Sequence, residues 1–190
     1  MFHSLLPLIT VLLSFGRETD SVTRRFYLTV SQMTGHPDGF VRRMIGMPTM
    51  LVKTNRQTPN HLILLISVTG FNGTSPGPAI TVNAGDRIIA RVKNIDIVDG
   101  TAMHWHGILQ TLSNNMDGVV GVTQSKIMIG ETFEYNFLVD DAGSFWYHAH
   151  FTTQYMQGAR AALIVMDPLE KIYTNRIVML ADWYHDVSLT

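Results

Sequence analysis

Thr132-Phe133-Glu134-Tyr135-Asn136-Phe137-Leu138-Val139, the turn residues Asp141-Ala142-Gly143, and then Ser144-Phe145-Trp146-Tyr147-His148-Ala149-His150 carry the reading of the fold. In the first run Phe133, Tyr135 and Phe137 alternate with Glu134 and Asn136, the period of a strand with one buried face. A turn and a second strand-like run follow at once. Similar short runs lie at Phe26-Tyr27-Leu28-Thr29-Val30, at Ala79-Ile80-Thr81-Val82, from Arg87 to Val92 and from Ala161 to Val165. Between them Pro76-Gly77-Pro78, Asn83-Ala84-Gly85-Asp86 and Asp99-Gly100 supply turn chemistry, and no long 3.6-residue stripe competes. The spacing predicts an all-β domain, a sandwich or Greek-key barrel, with helix a minor element.

Two His-x-His pairs, His104-Trp105-His106 and His148-Ala149-His150, hold four of the eight histidines, each within a strand-like stretch. Alternation along a strand puts both imidazoles of a pair on one face. Two such strands side by side present four nitrogen ligands to one small volume, which suits copper, zinc, iron or nickel. Trp105 then points to the opposite face as a core anchor, while Trp146 and Tyr147 are expected to pack the approach to the second pair. His3, His36, His61 and His185 stand alone. The chain has no cysteine, which excludes disulfides, thiolate ligands, iron–sulfur clusters and a blue-copper centre built within it. Its eleven methionines are scattered and read as core filler.

Fourteen Lys+Arg against fifteen Asp+Glu, without a basic cluster, is not the footprint of a nucleic-acid binder. The 190 residues suffice for one full domain and the start of another. Residues 1–16 read as a secretory signal, with an apolar run from Leu5 to Phe15 and a small-x-small site at Ser14-Phe15-Gly16. Asn72-Gly73-Thr74 is a glycosylation acceptor at Asn72, in keeping with a secreted or cell-surface protein. No other segment reaches the roughly eighteen apolar residues a membrane span needs.

The residues around the histidines are more specific. Met103-His104-Trp105-His106-Gly107, Asn115-Met116-Asp117-Gly118, Gly143 through His150, and Gln154-Tyr155-Met156-Gln157-Gly158 with Arg160 together resemble the multicopper oxidases, fungal laccases and ferroxidases in particular. Asn72 through Pro78 and Asp182-Trp183-Tyr184-His185 extend the resemblance. It implies a first cupredoxin domain, a Greek-key β-sandwich over 22–168, followed at 169–190 by a linker and the first strand of an incomplete second one. It also implies that His104 is a type 2 copper ligand and that His106, His148 and His150 ligate a type 3 pair. These four are half of a trinuclear cluster that reduces dioxygen to water with electrons from a phenol, an aryl amine or Fe(II). Asp117 resembles the carboxylate beside that cluster, an assisting group and not a ligand; without the flanking motifs it would read as a turn residue.

The departures from the family pattern also carry expectations. The cysteine of the type 1 copper site and the other four cluster histidines are missing, so the chain alone is expected to be inactive. Ser125 stands where relatives often carry cysteine, and Gln157 where an aspartate usually precedes glycine. In the family Ile45-Gly46 would run almost directly into Asn72-Gly73-Thr74. Residues 47–70 could be an ordinary extra strand, but their placement reads as an atypical insertion, a translated retained intron or gene-model error; codons for Gly46-Met47 and Thr69-Gly70 can hold a GT donor and an AG acceptor. If translated, the insertion is expected to be a loop or poorly packed excursion.

Two other functional classes fit some of these features. A non-catalytic copper-binding cupredoxin module needs no more than the four histidines. A zinc hydrolase would carry an Asp-His pair soon after the first motif, and a cupin a glutamate a few residues on; neither occurs.

Overall fold

The computed structural model describes residues 21–35, 42–46, 51–55, 74–168 and 176–184. Residues 1–16, Asn72 and His185 lie outside them. Among the described residues nine strands follow in order: β1 (Thr23–Gly35), β2 (Arg42–Gly46), β3 (Leu51–Asn55), β4 (Ile80–Asn83), β5 (Arg87–Asn94), β6 (Met103–His106), β7 (Thr132–Leu138), β8 (Gly143–Ala149) and β9 (Arg160–Met166). Among the described residues the one helical element is a single 3-10 turn, Asn114–Met116. All six of the strand-like runs of the sequence lie within or largely overlap these elements.

The strands form two sheets. In the first, β1 lies between β2 and β5, and β7 follows β5; β1 and β5 run parallel with Thr23 opposite Arg87. In the second the order is β4-β9-β8-β6, with β4 parallel to β9 and the rest antiparallel. The sheets pack face to face. Phe26, Leu28, Ile88, Val92, Tyr135 and Phe137 from one meet Ile80, Trp105, Tyr147, Leu163 and Val165 from the other in one continuous core. This is the all-β sandwich that the sequence predicts.

Two expectations are corrected. Five residues of the 47–70 segment are not a loop: Leu51–Asn55 pairs antiparallel with Thr23–Tyr27, because the first half of β1 has a free edge there. The rest of that segment lies outside the described residues. At the other end, residues 176–184 are described without a strand, and the residues on either side of them, 169–175 and 185–190, lie outside the described residues. Tyr147 does not pack the approach to the histidines. It follows Trp146 on β8, and successive strand residues face opposite ways, so Tyr147 is fully buried in the core with its hydroxyl donating to the Pro78 carbonyl at 2.6 Å.

Candidate metal centre

The site is made by the register of β6 against β8. His104 lies directly opposite His148, Trp105 opposite Tyr147, and His106 opposite Trp146. Strand alternation then sorts the side chains. Trp105 and Tyr147 point inward and stack with ring centroids 5.5 Å apart, and Trp105 also meets Phe137 at 5.0 Å. On the other face the three histidines and Trp146 are gathered. His150 lies one residue beyond the end of β8, not within the strand, and its backbone N–H donates to the Ala102 carbonyl at 2.8 Å. Its ring centroid is nevertheless 5.1 Å from that of His104 and 5.8 Å from that of His148. All four imidazoles predicted from the sequence are therefore brought together.

Their hydrogen bonds decide which nitrogens are free. His104 Nδ1 lies 2.7 Å from the Asp117 backbone carbonyl and 3.3 Å from its Oδ1. A carbonyl oxygen only accepts, so Nδ1 holds the proton and Nε2 is left with a bare lone pair for a metal. His148 is arranged the same way, its Nδ1 donating to the Ala149 carbonyl at 3.0 Å. His148 Nε2 and His106 Nδ1 are 3.4 Å apart. That is close to the ~3.3 Å separating two nitrogens that each lie about 2.0–2.1 Å from one tetrahedral ion. Among the described residues His104, His106 and His148 are the one group of three or more His, Asp or Glu side chains placed so that it could hold a metal ion, with ligand atoms all within 4.8 Å of one another.

Burial keeps the His148 imidazole neutral. Burial lowers the His148 pKa to about 4, with smaller contributions from the neighbouring His104, His150 and His106, against an opposing hydrogen bond to Ala149. Trp146 stacks on His148 at 4.1 Å and flanks His106 at 4.9 Å, and Tyr155 lies 5.5 Å from His148. An open cleft of about 550 Å³, walled further by Val119, Val120, Phe151 and Thr152, leads to the histidines.

Asp117 reaches His104 through a close backbone approach. It ends the 3-10 turn, and Gly118 after it has φ +82° and packs so tightly on β6 that a Cβ there would fall 1.8 Å from the Met103 oxygen. Only glycine fits this contact. The sequence marked Asp117 for its carboxylate; its shorter bond to His104 is through the main chain, which no side-chain motif announces.

The model of the multicopper oxidase family matches residues 52–170. The chain belongs to the multicopper oxidase family. Laccase-2 of Botryotinia fuckeliana is 39% identical over 166 residues, 86% of this chain and 24% of that protein. The iron transport multicopper oxidase FET3 of Gibberella zeae is 44% identical over 123 residues, 63% of this chain and 20% of that protein. A laccase structure from Botrytis aclada aligns with a TM-score of 0.62 at 38% identity, covering 77% of this chain and 23% of its own. The chain spans between a fifth and about a third of the length of the curated relatives it matches.

Copper fits the residues present. The donors are imidazoles, two with Nδ1 fixed by a carbonyl, and imidazole is a good copper ligand. No described helix is long and apolar enough to cross a membrane.

Proposed function

We propose that this chain supplies His104, His106, His148 and His150 to the trinuclear copper centre of a longer oxidase, of which 22–168 is the first cupredoxin domain and 169–190 the link into the second. The observation that carries this reading is the register of β6 against β8. It sets His104 across from His148 with both Nδ1 atoms tied to carbonyls, so that both Nε2 atoms keep their lone pairs for a metal.

Copper held there supplies one-electron redox chemistry, so that four electrons drawn singly from a reducing substrate, with four protons, convert dioxygen to two waters. The protein's part is positional. His104 is held by Asp117, and the ring of His148 is clamped between Trp146 and its own backbone, so neither has to reorganise on binding. The Asp117 carboxylate, partly exposed and 3.3 Å from His104 Nδ1, is placed to accept and pass on protons as water forms. Phenols, aryl amines and Fe(II) are the reducing substrates in view, and a secreted or cell-surface location follows from residues 1–16 and the glycosylation motif at Asn72.

Alone, the chain is expected to act as a copper-binding module without turnover, since it has no cysteine for a type 1 site and half of the cluster histidines. The test is to load the 190-residue chain with copper and measure stoichiometry, nitrogen hyperfine structure and oxygen uptake with a phenol or Fe(II). Histidine-dependent copper binding without sustained uptake is expected. Copper binding unchanged in a His104→Ala/His148→Ala variant would overturn the assignment of the site, and sustained four-electron turnover would overturn the need for further domains.

A further inference from the structure

His150 differs from the other three histidines in standing beyond the strand, on the turn that joins β8 to β9. Something other than sheet register must hold it 5.1 Å from His104. The side chain of Gln154 occupies the position to do so. It is 3% exposed, and both ends of its amide are engaged: Nε2 donates to the Gly100 carbonyl at 2.8 Å, and Oε1 accepts from Thr101 Oγ1 at 2.8 Å. Gly100 and Thr101 lead directly into β6.

The backbone of Gln154 organises the turn as well. Its N–H donates to the Phe151 carbonyl, and its own carbonyl accepts from Gln157 and Ala159. Gln154 is thus fastened at one end to the residues after His150 and at the other to the residues before His104. Between these two attachments runs the single bond from His150 N–H to the Ala102 carbonyl. An amide is the one side chain of this length that donates and accepts at once without charge. Glutamate would set an acceptor against the Gly100 carbonyl, and an apolar residue would strand both partners in a buried place.

We propose that Gln154 is a positioning residue for His150, locking the turn after β8 to the entry of β6 so that the fourth imidazole meets the other three. The inference rests on the reading of His150 as a copper ligand and extends it to a residue with no donor atom in the site. Breaking the clamp releases the turn while leaving the β6–β8 register, and hence His104, His106 and His148, in place.

The experiment is a double-mutant cycle on the 190-residue chain, reading Cu(I) affinity by competition with a chelator. Gln154→Ala is expected to weaken binding on the order of tenfold, as loss of an orienting partner does, and to add nothing further in a His150→Ala background. In the metal-free chain the amide of His150 should exchange with solvent at least about tenfold faster, while that of Leu163, in the core strand β9, is unchanged. Thr101→Val, which keeps the volume and removes one of the two bonds, should act in the same direction and more weakly. Equal losses from Gln154→Ala with and without His150, or faster exchange at Leu163 to the same extent, would overturn the proposal by showing a general loosening of the fold. If Gln154→Ala does not fold, Thr101→Val decides by the same two readings. Should His150→Ala leave copper affinity untouched, the ligand reading of His150 fails instead, and the exchange data still report on the clamp.

Discussion

Two glycines in one loop separate the cost of a backbone conformation from the cost of a contact. Gly118 has φ +82° and Gly121 has φ +80°, so alanine at either pays the same penalty for a left-handed backbone, about 1–2 kcal/mol. Around Gly121 there is nothing within 4 Å of an added Cβ, whereas at Gly118 it would lie 1.8 Å from the Met103 oxygen and 2.5 Å from its carbonyl carbon. Real Cβ contacts essentially never fall under 3.0 Å, so the loop carrying Asp117 must withdraw by more than 1 Å. The 2.7 Å bond from His104 Nδ1 to the Asp117 carbonyl does not survive that shift.

Gly121→Ala should therefore lose about 1–2 kcal/mol. Gly118→Ala should lose that and a further ~1–3 kcal/mol for the broken, partly buried hydrogen bond and the displaced loop. Urea unfolding measures both, and the difference between the variants isolates the contact. A second reading is independent of stability: nitrogen chemical shifts of the His104 ring should show loss of the fixed Nδ1–H tautomer in Gly118→Ala only. Equal losses of stability in the two variants, with His104 unchanged in both, would refute the claim that Gly118 sets the Asp117–His104 bond.

Two further outcomes follow from the same geometry. Asp117→Asn keeps the backbone carbonyl on His104, so copper affinity measured by chelator competition should fall by less than the ~10-fold expected for losing a metal ligand's orienting partner, while proton-coupled steps in a full-length oxidase should slow. Burial raises the phenol of Tyr147 above its usual range. The folded chain therefore keeps a proton that the unfolded chain releases above about pH 10. Stability from this residue is intact below that pH and declines as the pH rises from there. Tyr147→Phe should cost about 1 kcal/mol at neutral pH through the lost bond to Pro78, yet show a shallower decline in urea titrations between pH 9 and about pH 11.

The strands were legible because alternation is written into the chain: Tyr135 and Phe137 face the core and Glu134 does not, as their spacing requires. Trp105 was placed in the core on the same ground. Tyr147 beside Trp146 obeys the same alternation, which sends it into the core and leaves Trp146 beside the histidines. The pairing of Leu51–Asn55 is not legible in this way, since whether a short segment pairs depends on an open edge supplied by β1, some distance away in sequence.

The sequence by itself determined the chemistry of the donor set. Four imidazoles in two i, i+2 pairs, no thiolate, and motifs in the order of the multicopper oxidases are properties of residue type and local period, which need no folded structure to be read. Only the tertiary structure decided how those donors meet. The register that sets His104 against His148, the carbonyl of Asp117 that fixes a tautomer, the glycine that lets it approach, and the buried amide of Gln154 behind His150 all join segments 13 to 54 residues apart. Such contacts are selected by packing of the whole sandwich, and a backbone carbonyl or a turn glycine carries no mark in the sequence of the distant atom it will touch.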